Sequence, residues 1–371
     1  MRAEQVKQFI VALYQAQEGT KRTSVLLLGG PGIGKTTAVE EAARELASSA
    51  GREFIEYSDD QADEILREPE RYFVFHSLPL VGVEPVDLTG HPRPVNGMVS
   101  YLPLKWAAVM SRCPGMLFLD DFLDTQRPDV MSAAYNITLK LRVGYVYLHP
   151  GVQVVAASNT PEFSSLSQLM PAPLANRLLI LQMDPPTVEE WAEWMDRQHG
   201  EGWDRRVLAF LRRFGEEYLF RPPKETETIA GFASPRSWSA LALLLPRMKM
   251  GEWMAGLVGP ELAQKFRAFL GLKVDLEQLL ADPGSFSKLT VDEKYIACLM
   301  LAAALTKKGR ERALPLLRHL VKEGREWLVT LFFLIPAGKR AAFLSSISGE
   351  EDLISALEEV QRDKCALTFW R

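Results

Sequence analysis

An octapeptide near the amino terminus has the residue types and the spacing that bind phosphate. Residues 29–36 have the sequence GGPGIGKT, which satisfies G-x-x-x-x-G-K-[ST]. The apolar run 24–28 before it predicts a buried strand, and residues 37–48 have apolar side chains at helical spacing. Glycines let backbone N–H groups turn toward a polyphosphate, and the positive end of the following helix dipole faces the same charge. The sequence therefore predicts a phosphate-binding loop between a strand and a helix.

Individual positions of this segment have separate expected roles. We expect Lys35 to reach the β- and γ-phosphates and Thr36 to place its hydroxyl on Mg²⁺. The residues predicted to bind the nucleotide are Gly29, Gly30, Pro31, Gly32, Ile33, Gly34, Lys35, Thr36 and Thr37.

Two acidic residues end a second apolar run, at 116–119. A buried parallel strand delivers such carboxylates to its carboxyl end, where open α/β sheets bind ligands. We expect Asp120, with Thr36, to hold the Mg²⁺, and Asp121 to orient or deprotonate the attacking water. A solvated strand end would have the same pattern, but the upstream loop favours the functional interpretation.

Three further side chains stand where they could complete such a site. Asn159 ends another apolar strand, where its amide could hydrogen-bond the γ-phosphate or the water; alternatively, it only forms the turn that follows. Arg177 precedes the last predicted strand, at 178–181. Arg236 begins a helix within the sequence Ala-Ser-Pro-Arg. Each arginine taken alone would be interpreted as a surface charge.

The chain changes character at the proline pair 185–186. Before this pair, strands and helices alternate as in βαβ units, and a stretch rich in proline and glycine contains a predicted hairpin turn at Asn96-Gly97. A second small hairpin is predicted at 142–147. After the pair only helical patterns occur, and they are interrupted at 251–259.

Composition and charge narrow the class of protein. The chain has 371 residues, of which 47% are hydrophobic and 24% are charged, as in ordinary globular proteins. Its net charge of -4 gives no domain-wide basic field, so nucleic acid is not the favoured partner. The three cysteines, Cys113, Cys298 and Cys365, are too far apart in sequence to indicate a zinc site. Without a signal-peptide pattern or an apolar run of about 20 residues, we expect a cytoplasmic protein that does not enter a membrane.

The order of these parts resembles that of the AAA+ ATPases. Those proteins have the phosphate loop, the acid-ended strand, the Asn-ended strand, an arginine before the last strand and a helical lid with an arginine, in this order. The resemblance is closest to the MoxR-like branch, in which Ala-Ser-Pro-Arg recurs at the lid arginine and a hairpin-bearing insertion precedes the acidic strand. Residues 87–90 and 97–103 resemble that insertion. The likeness covers about residues 20–250.

The resemblance implies a structure and a mode of assembly. It implies a five-stranded parallel sheet with a helical lid, and a homo-oligomeric ring, usually hexameric, that shares ATP sites between neighbours. Arg177 would be an arginine finger contributed in trans, and Arg236 the lid arginine that senses the γ-phosphate. MoxR-like proteins typically work with a protein that carries a von Willebrand factor A domain, so such a partner is expected.

One residue departs from the family pattern. The family usually has Asp-Glu at the end of the acidic strand, whereas this chain has Asp120-Asp121. The side chain of Asp121 is shorter by one methylene, and a displacement of about 1 Å can cost on the order of 10²-fold in rate.

The sequence therefore predicts an α/β protein with a P-loop NTPase core of AAA+ type, a helical lid and a further helical C-terminal region. The predicted bounds are 1–186 for the core, 187–250 for the lid and 251–371 for the last region. The predicted activity is hydrolysis of ATP with Mg²⁺ by a ring that remodels or matures a protein partner.

Other functions would use some of the same motifs. The segment 87–90 also matches the D-x-x-G of GTPases, but no N-K-x-D follows it, and a small-molecule phosphotransferase would not need the additional Asn and Arg residues. A nucleotide-gated assembly scaffold with little turnover remains open because of Asp121. A DNA-remodelling AAA+ protein is a weaker alternative, and its candidate contacts are Lys105, Arg112, Lys140 and Arg142.

Overall fold

The chain folds into two compact units in the computed structural model. The first unit is formed mainly by Met1–Pro185 and the second by Pro186–Pro222 and the residues from Ile229 onward. The structure describes residues 1–164, 170, 172–223, 229–305 and 310–358, so Cys365 lies outside the described part.

Strands and helices alternate through the first unit. Its strands are β1 (Val25–Gly29), β2 (Glu53–Glu56), β3 (Tyr72–Pro79), β4 (His91–Val95), β5 (Met98–Leu102), β6 (Gly115–Asp120), β7 (Arg142–Val143), β8 (Val146–Tyr147), β9 (Val152–Ser158) and β10 (Leu179–Met183). Its helices are α1 (Ala3–Ala16), α2 (Lys35–Ser49), α3 (Ala62–Arg67), α4 (Val86–Thr89), α5 (Lys105–Met110), α6 (Pro128–Lys140) and α7 (Ala172–Ala175), with a 3₁₀ turn at Asp59–Gln61.

Six strands form one parallel sheet in the order β10-β1-β9-β6-β3-β2. The sheet thus has one strand more than the five implied by the family resemblance. The two strands that follow α2 in sequence both join the sheet, and β2 is its last strand, paired only with β3. The central strands β6 and β9 are buried along almost their whole length, as expected for a parallel sheet covered on both faces.

The sheet order decides which strand ends meet. Strand β9 pairs with β1 on one side and with β6 on the other, all in parallel. The segments that follow these three strands therefore leave the same carboxyl edge next to one another.

Two small antiparallel hairpins form separately from the six-stranded sheet, and both were predicted from the sequence. Strands β4 and β5 are joined by Asn96 and Gly97, whose φ angles of 51° and 77° fit the mirror-image turn that Asn-Gly favours. The second hairpin pairs β7 with β8. The rings of Tyr101 and Tyr145, one from each hairpin, lie 4.9 Å apart, so the two hairpins contact each other.

The second unit is helical throughout its described residues, apart from turns and one isolated bridge. Its helices are α8 (Val188–His199), α9 (Arg205–Phe214), α10 (Glu216–Leu219), α11 (Pro235–Leu244), α12 (Trp253–Val258), α13 (Pro260–Leu270), α14 (Leu276–Ala281), α15 (Val291–Leu305), α16 (Arg310–Glu323), α17 (Arg325–Leu334) and α18 (Ala337–Ser346), with a 3₁₀ segment at Pro283–Lys288.

One hydrophobic core holds this unit together. Its buried side chains extend in sequence from Val188 to Ala356. Phe210 of α9 packs against Trp238 of α11 and Phe266 of α13, with ring centroids 5.5 and 5.2 Å apart. The predicted boundary at residue 250 falls inside the sequence range of this core and stays a prediction.

Helices α15 and α17 both contribute buried side chains to this core, and α17 is buried along most of its length. Among the described residues, no helix has the length and apolarity needed to cross a bilayer.

Substitution of Gly144 should loosen the contact between the second hairpin and the end of α4. Gly144 has a φ of 55°, and a Cβ there would lie 2.1 Å from the Thr89 carbonyl oxygen. We expect Gly144→Ala to speed amide hydrogen exchange at residues 141–148 by about tenfold or more, because backbone strain costs on the order of 1–3 kcal/mol. Gly97→Ala is the control, since Gly97 also has a positive φ but open space around it. Equal exchange in the wild type and Gly144→Ala would contradict the close approach.

A buried histidine should make the first unit sensitive to acid. His76 of β3 lies against the rings of Tyr57 and Trp106, at 4.8 and 5.1 Å, and its Nε2 has no hydrogen-bond partner among the described residues. Burial lowers the pKa of His76 to about 4, although Asp59 opposes this shift.

Because its pKa is depressed only in the folded state, His76 binds a proton near pH 6.5 in the unfolded chain but stays neutral at this pH in the folded chain. Stability should therefore fall between pH 6.5 and 4, by about 3 kcal/mol from this residue. We expect His76→Phe to flatten the curve of unfolding free energy against pH in this window, measured by urea denaturation. His91→Phe, at an exposed position, should keep the wild-type slope, and a wild-type slope in His76→Phe would contradict the assignment.

Candidate nucleotide-binding site

The predicted phosphate loop connects β1 to α2 at the carboxyl edge of the sheet. A Cβ at Gly29 would lie 2.6 Å from the Met183 carbonyl oxygen, so only glycine fits beside β10. Gly34 caps the start of α2 with a φ of 99°, a left-handed conformation that favours glycine. Ile33 is buried, whereas Pro31, Gly32, Thr36 and Thr37 are partly exposed. The loop geometry thus depends on glycine at two positions for two different reasons.

Lys35 is folded back onto this loop. Its side chain is buried, and Nζ donates hydrogen bonds to the carbonyl oxygens of Gly29 and Gly30, both at 2.9 Å, and to Asn159 Oδ1 at 3.0 Å. These oxygens satisfy the ammonium group in a place largely removed from water. A polyphosphate in the loop would offer it charged acceptors, which form hydrogen bonds about twice as strong as neutral ones.

Thr36 and Asp120 place two oxygen donors together. Thr36 Oγ1 donates to Asp120 Oδ2 at 3.4 Å, and the backbone N–H of Asp121 donates to Asp120 Oδ1 at 3.1 Å. A hydroxyl and a carboxylate are the hard oxygen ligands that Mg²⁺ uses beside substrate phosphates. The donor set fits a Mg²⁺ ion held by these two residues, although the described residues contain no cluster of three or more His, Cys, Asp or Glu side chains suited to a metal.

Asp121 has an unusual backbone conformation. Its φ of 52° lies in the left-handed region, which aspartate and asparagine adopt several-fold more often than other residues with a side chain. The next residue, Phe122, donates its N–H to the Ala157 carbonyl oxygen at 2.8 Å, which ties the turn to β9. This conformation gives a physical reason for aspartate at a position where the family usually has glutamate.

Asn159 lies directly after β9 and bridges two charged groups. Its Oδ1 accepts from Lys35, and its Nδ2 donates to Asp124 Oδ2 at 3.3 Å. The structure therefore brings Lys35 and Asn159 into contact, as it does Thr36 and Asp120.

Sequence reasoning missed Asp124. Its side chain is 5% exposed, and its Oδ2 accepts hydrogen bonds from Ser158 Oγ and Asn159 Nδ2. Its Oδ1 is buried without a hydrogen-bond partner among the described residues. The only available signal was an acid two apolar residues after the Asp120-Asp121 pair, and a surface turn has the same pattern.

Arg177 lies at the amino end of the parallel strands, whereas the phosphate loop lies at their carboxyl end. Strand β10 runs parallel to β1 with Leu179 beside Val25 and Met183 beside Gly29, so Arg177 precedes the amino end of β10. The five residues of β10 separate the two ends by roughly 15 Å. The exposed Arg177 side chain is therefore remote from the phosphate loop of its own chain.

Arg236 belongs to the second unit. It is exposed at the second position of α11, whose first turn is fixed by Ser234 and Ser237. The Ser234 hydroxyl accepts from the Ser237 N–H at 3.2 Å, and the Ser237 hydroxyl accepts from the Ser234 N–H at 2.8 Å. The predicted role of Arg236 at a nucleotide stays a prediction.

The parallel sheet and the glycine-rich loop between β1 and α2 give the first unit an α/β fold of P-loop NTPase type, and the second unit is helical. The carboxyl ends of β1, β6 and β9 supply the residues that gather at one edge, which is where this fold binds its ligand.

The chain matches no family model and no curated protein. Among solved structures it is similar to a variant of RuvB from Thermotoga maritima, with 19% identity, 75% of each chain covered and a TM-score of 0.41. It is also similar to ORC1 from Aeropyrum pernix in complex with DNA, with 16% identity, 93% of this chain and 82% of the other covered and a TM-score of 0.37. For AMPPCP-bound DnaA from Aquifex aeolicus, the identity is 11%, the coverage is 96% of this chain and 87% of the other, and the TM-score is 0.35. All three similarities are distant.

Proposed function

We propose that this chain is a ring-forming ATPase of the MoxR-like type that uses Mg²⁺-ATP to remodel or mature a protein partner. The observation that carries the proposal is the position of Lys35. Its buried ammonium group is held by loop carbonyls and by Asn159, at the edge where Thr36 and Asp120 also meet.

The residues at this edge have separable roles in the proposed reaction. Lys35 moves from the loop carbonyls to the phosphates, where its charge is better compensated. Thr36 and Asp120 hold the Mg²⁺ ion, which when bound neutralises charge on the phosphate oxygens. Asp121 orients the attacking water, and Asn159 donates its amide N–H to the γ-phosphate or to that water.

Two arginines complete the proposal. Arg177 is exposed and roughly 15 Å from its own loop, so it is available to a nucleotide bound by a neighbouring copy of the chain. Arg236 is the proposed sensor of the γ-phosphate on the helical unit. ATP binding and hydrolysis would then alter the position of that unit in each cycle.

The paired hairpins are the proposed contact surface for the protein partner. Met98, Val99, Tyr145 and Tyr147 expose between 66% and 72% of their surface, and Tyr101 packs against Tyr145. Neighbouring exposed apolar side chains are typical of protein interaction sites. A partner with a von Willebrand factor A domain is the candidate that the family resemblance suggests.

A nucleotide-gated scaffold is the second candidate, and Asp121 favours it. Its side chain is one methylene shorter than that of the usual glutamate, and its backbone is left-handed. The carboxylate would therefore be displaced from the attacking water and would activate it weakly. In this case ATP binding orders a ring that recruits a partner, and turnover is incidental. DNA remodelling stays the weaker alternative: Lys105, Arg112 and Lys140 are exposed, while the Arg142 guanidinium lies 5.9 Å from the rings of Tyr145 and Tyr147.

Removal of the loop lysine should abolish nucleotide binding. We expect Lys35→Ala to weaken Mg²⁺-ATP binding by at least about 100-fold in calorimetric titration, because the charge-assisted hydrogen bonds to phosphate are lost. Lys21→Ala is a matched control, since Lys21 also donates to a backbone carbonyl of the first unit, that of Leu139, and is exposed. An ATP affinity of Lys35→Ala close to that of the wild type would contradict the assignment of the loop.

Two inactive variants should restore each other if Arg177 acts in trans. Lys35→Ala cannot bind ATP but keeps its arginine, and Arg177→Ala binds ATP but should lose about 10³-fold or more in turnover. In a head-to-tail ring, each site takes its loop from one chain and its arginine from the next. In a random 1:1 mixture each of the two is intact in half of the chains, so about one site in four has both. We therefore expect the mixture to recover roughly a quarter of the wild-type turnover. Mixed rings verified by mass that stay inactive would exclude Arg177 as the finger.

A further inference from the structure

A chain of hydrogen bonds leads from the phosphate loop to a buried carboxylate that the proposed reaction does not yet use. Lys35 Nζ donates to Asn159 Oδ1 at 3.0 Å, and Asn159 Nδ2 donates to Asp124 Oδ2 at 3.3 Å. Ser158 Oγ donates to the same carboxylate oxygen at 3.3 Å and accepts from the Leu123 N–H at 3.2 Å.

The chemistry of the two end groups fixes the orientation of the amide between them. An ammonium group can only donate and a carboxylate can only accept. The Asn159 oxygen must therefore face Lys35 and its nitrogen must face Asp124. The opposite orientation would place two donors together at one end and two acceptors together at the other.

The burial of Asp124 makes this arrangement costly. A carboxylate that is 5% exposed and has one oxygen without a partner among the described residues pays a large part of its desolvation cost without compensation. A gain in stability therefore does not explain the carboxylate, because an apolar residue of similar shape would avoid this cost.

We propose that Asp124 is a positioning residue that fixes the orientation of the Asn159 amide for donation to the γ-phosphate or to the attacking water. This inference rests on the proposed function. The amide nitrogen carries two hydrogens, so one can donate to Asp124 while the other donates to a phosphate oxygen or to the attacking water. Once Lys35 moves to the phosphates, Asp124 still holds the nitrogen, so the amide keeps its orientation and does not rotate.

The test separates positioning from structural support by measuring two properties that move in different directions. Asp124→Leu keeps a similar shape but removes the acceptor. We expect its turnover to fall about 10–100-fold, as for other misplaced transition-state donors, while its midpoint of urea denaturation stays equal to the wild type or rises. A merely structural carboxylate would lower both.

A binding measurement gives a second readout that does not need turnover. The wild type should prefer a non-hydrolysable ATP analogue over ADP, and Asp124→Leu should lose this preference to the same extent as Asn159→Ala, with ADP affinity changed by less than about twofold. Asp124→Asn keeps one acceptor oxygen and should recover part of the loss. The double variant should equal Asn159→Ala alone, because the two residues act through one amide.

Ser158→Ala is the matched control. It removes the other hydrogen bond to the Asp124 carboxylate without touching the amide, so we expect turnover within about threefold of the wild type. The inference is overturned if Ser158→Ala matches Asp124→Leu, if the double variant shows the product of the two single losses, or if Asp124→Leu keeps the wild-type preference.

The outcomes also separate this inference from the function on which it rests. A wild-type chain that binds neither nucleotide overturns the proposed function and the inference with it. If the wild type prefers the ATP analogue and both Asp124→Leu and Asp124→Asn keep this preference, the inference is overturned but the proposed function is not. If Asp124→Leu does not fold, Asp124→Asn keeps the test decisive, since its smaller loss of preference must still appear.

Discussion

The burial of the Lys35 ammonium group at the carboxyl edge of a parallel sheet is the constraint on which the rest of the site depends. A charge in this position must be surrounded by oxygen acceptors, and the described residues that supply them are Gly29, Gly30 and Asn159. Two of these oxygens belong to the loop after β1, and the third requires β9 to lie beside β1. The sheet order, the glycines of the loop and the side chain after β9 are thus parts of one electrostatic requirement.

The same requirement extends one step further into the protein through Asp124. An ammonium group and a carboxylate that are both largely removed from water face opposite ends of one amide, and neither group contacts the other directly in the hydrogen bonds described above. A phosphate that attracts Lys35 would leave the carboxylate and the amide together. Stability and function make different demands on such a network, since an apolar replacement relieves the desolvation cost but leaves the amide without an orienting acceptor.

Sequence patterns predicted those features that depend on local chemistry. The loop 29–36, the Asn96-Gly97 turn and the apolar strands all have short-range signals, and the structure contains each of these elements. The family resemblance implied five strands in the sheet, and this number was wrong, since the structure has six. Asp124 was missed because burial and the partners of a side chain depend on β9, which lies far away in sequence. The left-handed conformation of Asp121 was also inaccessible, since the turn that contains it is hydrogen-bonded to β9, which is distant in sequence.

The most direct test of a ring ATPase with shared sites is Mg²⁺-ATP turnover by the purified chain over a concentration series, with the mass of the assembly measured at every point. The account predicts that turnover per chain rises as oligomers form, because a single chain holds Lys35 and Arg177 at opposite ends of its parallel strands. Turnover per chain that is independent of assembly would contradict shared sites. Rings that bind ATP tightly without hydrolysing it would contradict the ATPase and favour the nucleotide-gated scaffold.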